Sequence, residues 1–201
     1  MIRCVISDLG RVIIFFDNNI FFEKIANYSP YSKEKIGELT SAHFDLVELF
    51  DKGEMTPQDF YLRAAEKLGA RIDYDTFFSI YNDVFSLNLP VLRIMKRLKR
   101  NYRLILLSNT DIMRFGFIKK KFPGIMIFDE YVLSFEVGFM KPHPQIYKEA
   151  LKRAGYKAKE CVFIDDREEN IDAAAKLGID GIHIGPPTNL EAILKEKGLS
   201  F

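Results

Sequence analysis

Only two of the 201 residues are cysteine, Cys4 and Cys161, and both sit in apolar runs. That scarcity excludes a disulfide framework and reads as two buried free thiols of a reducing compartment. The chain also lacks any imbalance of charge: 29 Lys and Arg against 28 Asp and Glu leave a formal net charge of +1. So small a charge gives no electrostatic reason to expect nucleic acid or an anionic membrane as a partner. No apolar stretch approaches the roughly 18 residues needed to cross a bilayer. The first apolar run is broken by Arg3, Asp8 and Arg11, which is not a signal-peptide pattern, so a cytoplasmic protein is expected. Internal repeats and low-complexity segments are missing as well.

What is present is a large apolar fraction, 48%, with 18 Phe and 9 Tyr, enough to bury a core and to exclude disorder. The first strand is expected at Cys4-Val5-Ile6-Ser7, running into Asp8-Leu9-Gly10-Arg11-Val12. An apolar run that stops at a carboxylate and a glycine is how a buried parallel strand presents an acid at its carboxyl edge. From Asn19 to about Asn88 the pattern reads as helices only. Weaker periodicity covers Ile20 to Asn27, Ser41 to Phe50 and Tyr74 to Phe85. The clearest helix has Thr56 as N-cap, Pro57 in its first turn and Asp59 at its positive end. Phe60, Ala64 and Leu68 share its apolar face, and Gly69 ends it. Some 70 residues of helix between two strands are too long for one crossover, so residues 17–88 are expected to form an inserted α-helical cap. Residues 1–16 and 89–201 would form the core.

From Pro90 onward strands and helices alternate. Val91, Ile94, Met95 and Leu98 make a helical stripe before a strand at Leu104–Leu107. A helix from Asp111 to Lys121 and a strand from Tyr131 to Ser134 follow. Next come a helix from Pro144 to Ala154, a strand at Val162–Ile164, a helix from Ile171 to Leu177, a strand at Gly181–Ile184 and a last helix. Repeated strand–helix units with apolar strands predict an α/β fold, a Rossmann-like parallel sheet covered by helices on both faces.

Three of these strands end in polar residues: Asp8, Ser108-Asn109 and Asp165-Asp166. Parallel strands finish at one edge, so the three groups would converge there. Acids gathered without a counter-charge raise one another's pKa, and a hard divalent cation with oxygen ligands, Mg²⁺, relieves the repulsion. Ser108 and Asn109 stand where a strand opens into a helix, a place suited to a phosphate oxygen, although such a pair also serves as a plain cap. Lys141, between Gly138 and Pro142, is held in a loop near this acidic edge, where it would screen a nucleophile and a phosphate.

The motifs Asp8-Leu9-Gly10-Arg11-Val12, Leu107-Ser108-Asn109, Lys141-Pro142 and Asp165-Asp166 with Asn170 occur in that order over nearly the whole chain. In this the sequence resembles the haloacid dehalogenase superfamily, in which phosphatases dominate. The resemblance implies that Asp8 is the nucleophile, that Ser108 binds the phosphate and that Lys141 steadies both. Asp166 would hold Mg²⁺, with Asp165 beside it, and a small phosphorylated molecule would be the substrate. The Asp-Leu-Gly-x-Val form resembles sugar-phosphate phosphatases of the family, α-glucose-1-phosphate phosphatase among them. A monomer or weak homodimer is expected.

One position departs from the pattern. Most phosphatases of the family carry a second Asp two residues after the nucleophile to protonate the leaving group, and here that position is Gly10. Its backbone carbonyl could still face the metal, but no side chain carries the proton, a loss worth about a hundred to ten thousand fold. Asp17, His143, Asp165 or a water are the substitutes on offer, and an anomeric leaving group would need less help. Two alternatives therefore stand beside the phosphatase: a 2-haloacid dehalogenase-type hydrolase, and a weak or inactive relative that binds a phosphometabolite or a partner protein. Against the dehalogenase stand the paired acids Asp165-Asp166 and Gly10 itself. Arg11, next to Gly10, is a further candidate for binding phosphate or substrate. Arg167 is expected to pair with surface acids, Lys119-Lys120-Lys121 to be a solvated helix end, and the Phe-rich stretches to pack the cap.

Overall fold

The computed structural model describes residues 1–185 and 189–200. The chain begins with β1 (Cys4–Ser7), turns tightly through Leu9–Ile13, and enters β2 (Ile14–Phe16). Five helices follow, α1 (Asn18–Ala26), α2 (Lys33–Ala42), α3 (Phe44–Asp51), α4 (Pro57–Lys67) and α5 (Tyr74–Asn82), and then β3 (Phe85–Leu87). The remainder alternates: α6 (Leu89–Leu98), β4 (Arg103–Ser108), α7 (Ile112–Lys121), β5 (Glu130–Leu133), α8 (Ser134–Val137) and α9 (Pro144–Ala154). It closes with β6 (Cys161–Asp165), α10 (Glu168–Ala175), β7 (Asp180–His183) and α11 (Leu190–Glu196).

Five strands form one parallel sheet in the order β5-β4-β1-β6-β7. The chain builds outward on one side of β1 through β4 and β5, then returns to its other side for β6 and β7. That reversal puts the topological switch point at β1, where an open parallel sheet leaves a crevice at its carboxyl edge. Successive residues of a strand face opposite ways, and β1 shows it. Val5 joins a cluster with Leu92, Met95 and Leu98 of α6 and Leu194 of α11, while Cys4 and Ile6 join Ile146, Tyr147 and Ala150 of α9. With both faces covered, all of β1 is buried, which explains why it reads as a continuous apolar run. Cys4 and Cys161 are register partners on neighbouring strands and remain free thiols.

The segment between β2 and β3 has its own core, in which Phe21, Ile25, Ile36, Phe50, Phe60 and Phe77 are buried. Each such side chain contributes about 1.5–3 kcal/mol through removal from water. The start of α4 follows the sequence closely. Thr56 Oγ1 accepts the Asp59 N–H at 3.1 Å and donates to Asp59 Oδ2 at 2.7 Å. Pro57 occupies the first turn, and Gly69, at φ +58°, turns the chain away at the far end. Replacing Thr56 by Ala would cost about 1 kcal/mol.

Three expectations need correction. The segment before Asn88 is not all helix: β3 pairs antiparallel with β2, Ile14 facing Leu87 and Phe16 facing Phe85, and α5 stops at Asn82. A helix at 33–42, absent from the reading of the sequence, precedes the one expected at 41–50, which begins only at Phe44 after a break at His43. The strand expected at 131–134 runs from Glu130 to Leu133, and Ser134 opens α8. Among the described residues no helix is long and apolar enough to cross a membrane.

Candidate active site

The register of β1 on β6 pairs Ser7 with Ile164, so one step further Asp8 lies beside Asp165 at the sheet edge. Asp8 N–H donates to Ile164 carbonyl at 2.9 Å, which continues the ladder through the acid itself. Between these carboxylates stands the Lys141 ammonium, 2.7 Å from Asp8 Oδ1 and 2.7 Å from Asp165 Oδ2. All three groups are buried. Burial lifts the Asp8 carboxyl to about 6, with Asp165 adding to the rise and Lys141 opposing it. Burial works against the Lys141 charge, but Asp8 and Asp165 outweigh it and its pKa is raised. The ammonium is therefore a permanent positive charge between two acids.

Asp165 is held from its other side too. Its Oδ1 accepts the Arg167 N–H and an Asn170 Nδ2–H, both at 2.9 Å. Asn170 in turn offers its carbonyl to the hydroxyl of the buried Tyr147 at 3.0 Å. Asp165 thus fixes Lys141, whereas Asp166 is freer: its nearest cation is Arg11, whose Nε is 4.0 Å away. Burial and then Asp165 raise the Asp166 pKa. One carboxylate oxygen from each of Asp8, Asp165 and Asp166 lies within 4.8 Å of the others. This all-oxygen, all-acid donor set fits a hard divalent cation.

The residues expected to bind phosphate are held in different ways. The Asn109 side chain is committed to the loop: it donates to Lys141 carbonyl at 2.9 Å and accepts the Lys141 N–H at 2.8 Å. It sets the position of Lys141. Ser108 Oγ makes only a long contact, 3.4 Å, to Asn109 carbonyl. Asp111 caps α7 through the N–H groups of Met113 and Arg114. Arg11 adopts φ +56°, a left-handed conformation that costs a non-glycine residue about 1–2 kcal/mol, and its guanidinium lies over the Phe16 ring. Gly10 has no room to spare, since an added Cβ would sit 3.3 Å from the Phe16 ring. Asp8, Gly10, Arg11, Phe16, Asn109, Lys141, Asp166, Arg167 and Asn170 together enclose a cleft of about 390 Å³.

Two of the proposed substitutes for the missing acid are occupied elsewhere. Asp17 is exposed and caps α1 through Asn19. His143 accepts the Gln145 N–H on its Nδ1 at the start of α9 and stacks on Phe139. Arg167 pairs with the surface acid Glu169 at 2.5 Å. Sequence reading did not single out Ser134, whose Oγ accepts the Thr110 N–H at 2.9 Å and donates to Asp51 carbonyl at 2.5 Å. It joins the loop after Ser108 to α3. Nor did it single out Tyr147 behind Asn170, because both contacts cross long stretches of chain.

Comparison with known proteins shows what the chain is similar to. The sesquiterpene phosphatase astK of Aspergillus oryzae is 24% identical over 186 residues, covering 90% of this chain and 89% of that protein. The D-ribitol-5-phosphate phosphatase of Bacteroides thetaiotaomicron is 22% identical over 191 residues, 90% of each. Drimenol cyclase drtB of Aspergillus calidoustus is 24% identical over 90% of this chain, which spans only 34% of that longer protein. A crystal structure of a HAD family enzyme from Bacteroides thetaiotaomicron, in complex with magnesium and inorganic phosphate, superposes with a TM-score of 0.85 at 25% identity, covering 96% of this chain and 99% of that one. The profile of the haloacid dehalogenase-like hydrolases matches residues 21–178, and the chain belongs to that family.

Proposed function

We propose that the protein is a Mg²⁺-dependent phosphatase of a small phosphorylated metabolite, working through a phosphoryl group carried on Asp8. The observation that carries this reading is the contact of one buried ammonium, Lys141, with both Asp8 and Asp165 inside a cleft that also holds Asp166. The Asp8 carboxylate attacks phosphorus in line with the ester oxygen. A bond from Asp8 oxygen to phosphorus forms as the phosphorus–ester bond breaks, and the leaving oxygen departs as an alkoxide that takes its proton from solvent. Water then attacks the same phosphorus, the bond to Asp8 breaks, and inorganic phosphate departs. Lys141 stays beside Asp8 throughout and offsets charge on the transferring group. Ser108 is the hydroxyl donor to phosphate, and Asn109 keeps Lys141 in place. Asp8, Asp166 and the Gly10 carbonyl are the groups that would hold Mg²⁺, with Asp165 beside them. When bound, the ion supplies positive charge to the phosphoryl oxygens. The helical insertion, residues 17–88, is the cap that excludes water and selects the leaving group.

The astK and ribitol phosphatase relatives act, by their names, on a terpenoid and a polyol phosphate. Both are named phosphatases, and they support the reaction class without agreeing on the substrate. The absence of an acid side chain at Gly10 favours esters whose alcohol departs with little proton assistance, an anomeric sugar phosphate among them. The test is a screen of phosphate esters, with hexose 1- and 6-phosphates included, with and without Mg²⁺. Mg²⁺-dependent phosphate release that disappears in Asp8→Asn supports the reading. Chloride release from 2-chloropropionate, with no ester hydrolysed, would replace it by the dehalogenase.

A further inference from the structure

Position 10 offers no acid to the leaving oxygen, and the room beside it is already taken. A Cβ added to Gly10 would sit 3.3 Å from the Phe16 ring, and the guanidinium of Arg11 lies over that same ring, 5.2 Å from its centre. Where an acidic side chain would begin, a ring with a cation upon it stands instead.

Arg11 differs from the other two cations that line the cleft, Lys141 and Arg167. Lys141 is buried between Asp8 and Asp165, and Arg167 pairs with Glu169 at 2.5 Å. The carboxylate that faces Arg11 is Asp166, whose Oδ2 is 4.0 Å from Nε, too far for a hydrogen bond. The direction in which the Arg11 side chain leaves the backbone is fixed. Its N–H donates to Ile14 carbonyl at 2.6 Å and the Ile14 N–H to Leu9 carbonyl at 3.0 Å, which closes the turn with Arg11 at φ +56°. Glycine takes that conformation freely and arginine does not, so the turn carries a cost that a useful side chain would justify.

Depth puts the guanidinium on the leaving-group side. In-line attack by Asp8 sends the leaving oxygen to the face of phosphorus opposite the nucleophile. The Asp8 side chain is 11% exposed and that of Arg11 63%, and both line one cleft. A phosphoryl group seated on Asp8 therefore turns its leaving oxygen toward the mouth, where Arg11 stands. The separation is short: an Asp166 oxygen lies within 4.8 Å of an Asp8 oxygen, and Asp166 is in turn the residue that faces Arg11.

We infer that Arg11 stabilises the leaving oxygen in place of the absent acid, an assignment that rests on the phosphatase reading above. As the phosphorus–oxygen bond breaks, its electron pair stays on the alcohol oxygen, and a guanidinium N–H donates a hydrogen bond to the alkoxide so formed. Arg11 keeps its own proton. Water supplies one to the alkoxide and is left as hydroxide. The anion of an ordinary alcohol gains most from this charge, and that of a phenol or carboxylic acid least, because its oxygen is less basic.

The experiment measures kcat/KM for phosphate release by the whole chain with Mg²⁺ from ethyl, phenyl, p-nitrophenyl and acetyl phosphate, which differ in the basicity of the leaving oxygen. In Arg11→Ala the value for ethyl phosphate is expected to fall by roughly 10²-fold, the loss that follows removal of one oxyanion donor. Acetyl phosphate is expected to change little, which shows in the same variant that the fold is intact. Arg11→Lys is expected to keep part of the rate, and millimolar guanidinium chloride to restore part of it to Arg11→Ala but to add nothing to the wild type. Because a guanidinium does not titrate there, wild-type kcat/KM for ethyl phosphate is expected to hold level from about pH 7 to about pH 9. An equal fall on all four donors overturns the inference, since Arg11 would then serve the phosphoryl group or Asp166. No fall on any donor overturns it as well, and so does a loss of ethyl phosphate turnover across that pH range, which requires a titrating acid. Each of these leaves the phosphatase reading standing. Absence of release by the wild type from every donor overturns both.

Discussion

At the sheet edge the buried ions answer one another: Lys141 lies 2.7 Å from Asp8 and from Asp165, and Asp165 takes two further hydrogen bonds. The helical insertion differs. Its interior is aromatic and encloses a cavity, and its one buried carboxylate at the junction, Asp51, leaves Oδ1 without a hydrogen bond. Asp51 instead faces Asp111 and Arg114 of the neighbouring core helix, with Tyr81 donating to Asp111 at 2.9 Å. The contrast teaches where each region spends its stability. An active site that must hold like charges close together is built rigid by mutual pairing, and catalysis by preorganised charge needs that rigidity. The insertion carries empty space and an underpartnered ion, at a cost the well-packed sheet sustains.

The comparison can be broken most forcefully at Lys141. In Lys141→Met both acids lose their counter-charge. Phosphate release is expected to fall by roughly 10²–10³-fold, and urea unfolding to show a loss of about 3 kcal/mol. The double variant Lys141→Met with Asp165→Asn sharpens the point, because it should regain stability but not activity. Recovery of both would mean that Lys141 only neutralises Asp165. Smaller is the effect at the junction. Ser134→Ala releases the Thr110 N–H, so a loss of about 1–2 kcal/mol in stability is expected, together with a lower kcat on acetyl phosphate. Unchanged kcat would show that the loop after Ser108 needs no support from α3.

The insertion offers a test of opposite sign. Burial, and then Asp111, raise the Asp51 carboxyl to about 7, with Arg114 opposing. Between the ordinary carboxylate range and pH 7 the folded chain therefore keeps a proton that the unfolded chain has released. This stabilisation is complete in acid and is lost as pH rises through about 7. Asp51→Asn keeps the shape and removes the charge, so thermal unfolding should show a gain on the order of 1–2 kcal/mol at pH 8 and none at pH 4. A gain equal at both pH values would mean that charge is not the cause. Smallest is Gly10→Asp. The Phe16 ring stands 3.3 Å from the new Cβ and must shift. Faster turnover of ordinary alkyl phosphates would identify the missing acid as the limit, and unchanged turnover would show that another group already carries the proton.

The sheet was legible because β1, β4 and β6 are buried on both faces, so each reads as an apolar run with polar residues at its end. The helix at 33–42 escaped notice because only Ile36 of it is buried, too little to mark a period. The ribbon of β2 with β3 escaped because its partners are some 70 residues apart and three residues long. At the candidate site, the residue types and their order could be read, but their partners could not. That Asn109 grips the Lys141 backbone, that Asp165 is held by Asn170 and Arg167, and that Phe16 fills the space over Gly10 are contacts set by the tertiary fold. They are invisible to any local pattern.

The central claim is that phosphoryl transfer passes through Asp8. Acid quench of the enzyme during turnover of acetyl phosphate with Mg²⁺, followed by borohydride reduction and peptide mass analysis, tests it directly. An acyl phosphate on Asp8 is reduced to homoserine, so the peptide containing β1 should carry homoserine at position 8, and only when substrate and Mg²⁺ are both present. Phosphate release with that peptide unchanged, or with the reduced residue at Asp165 or Asp166, would contradict the account.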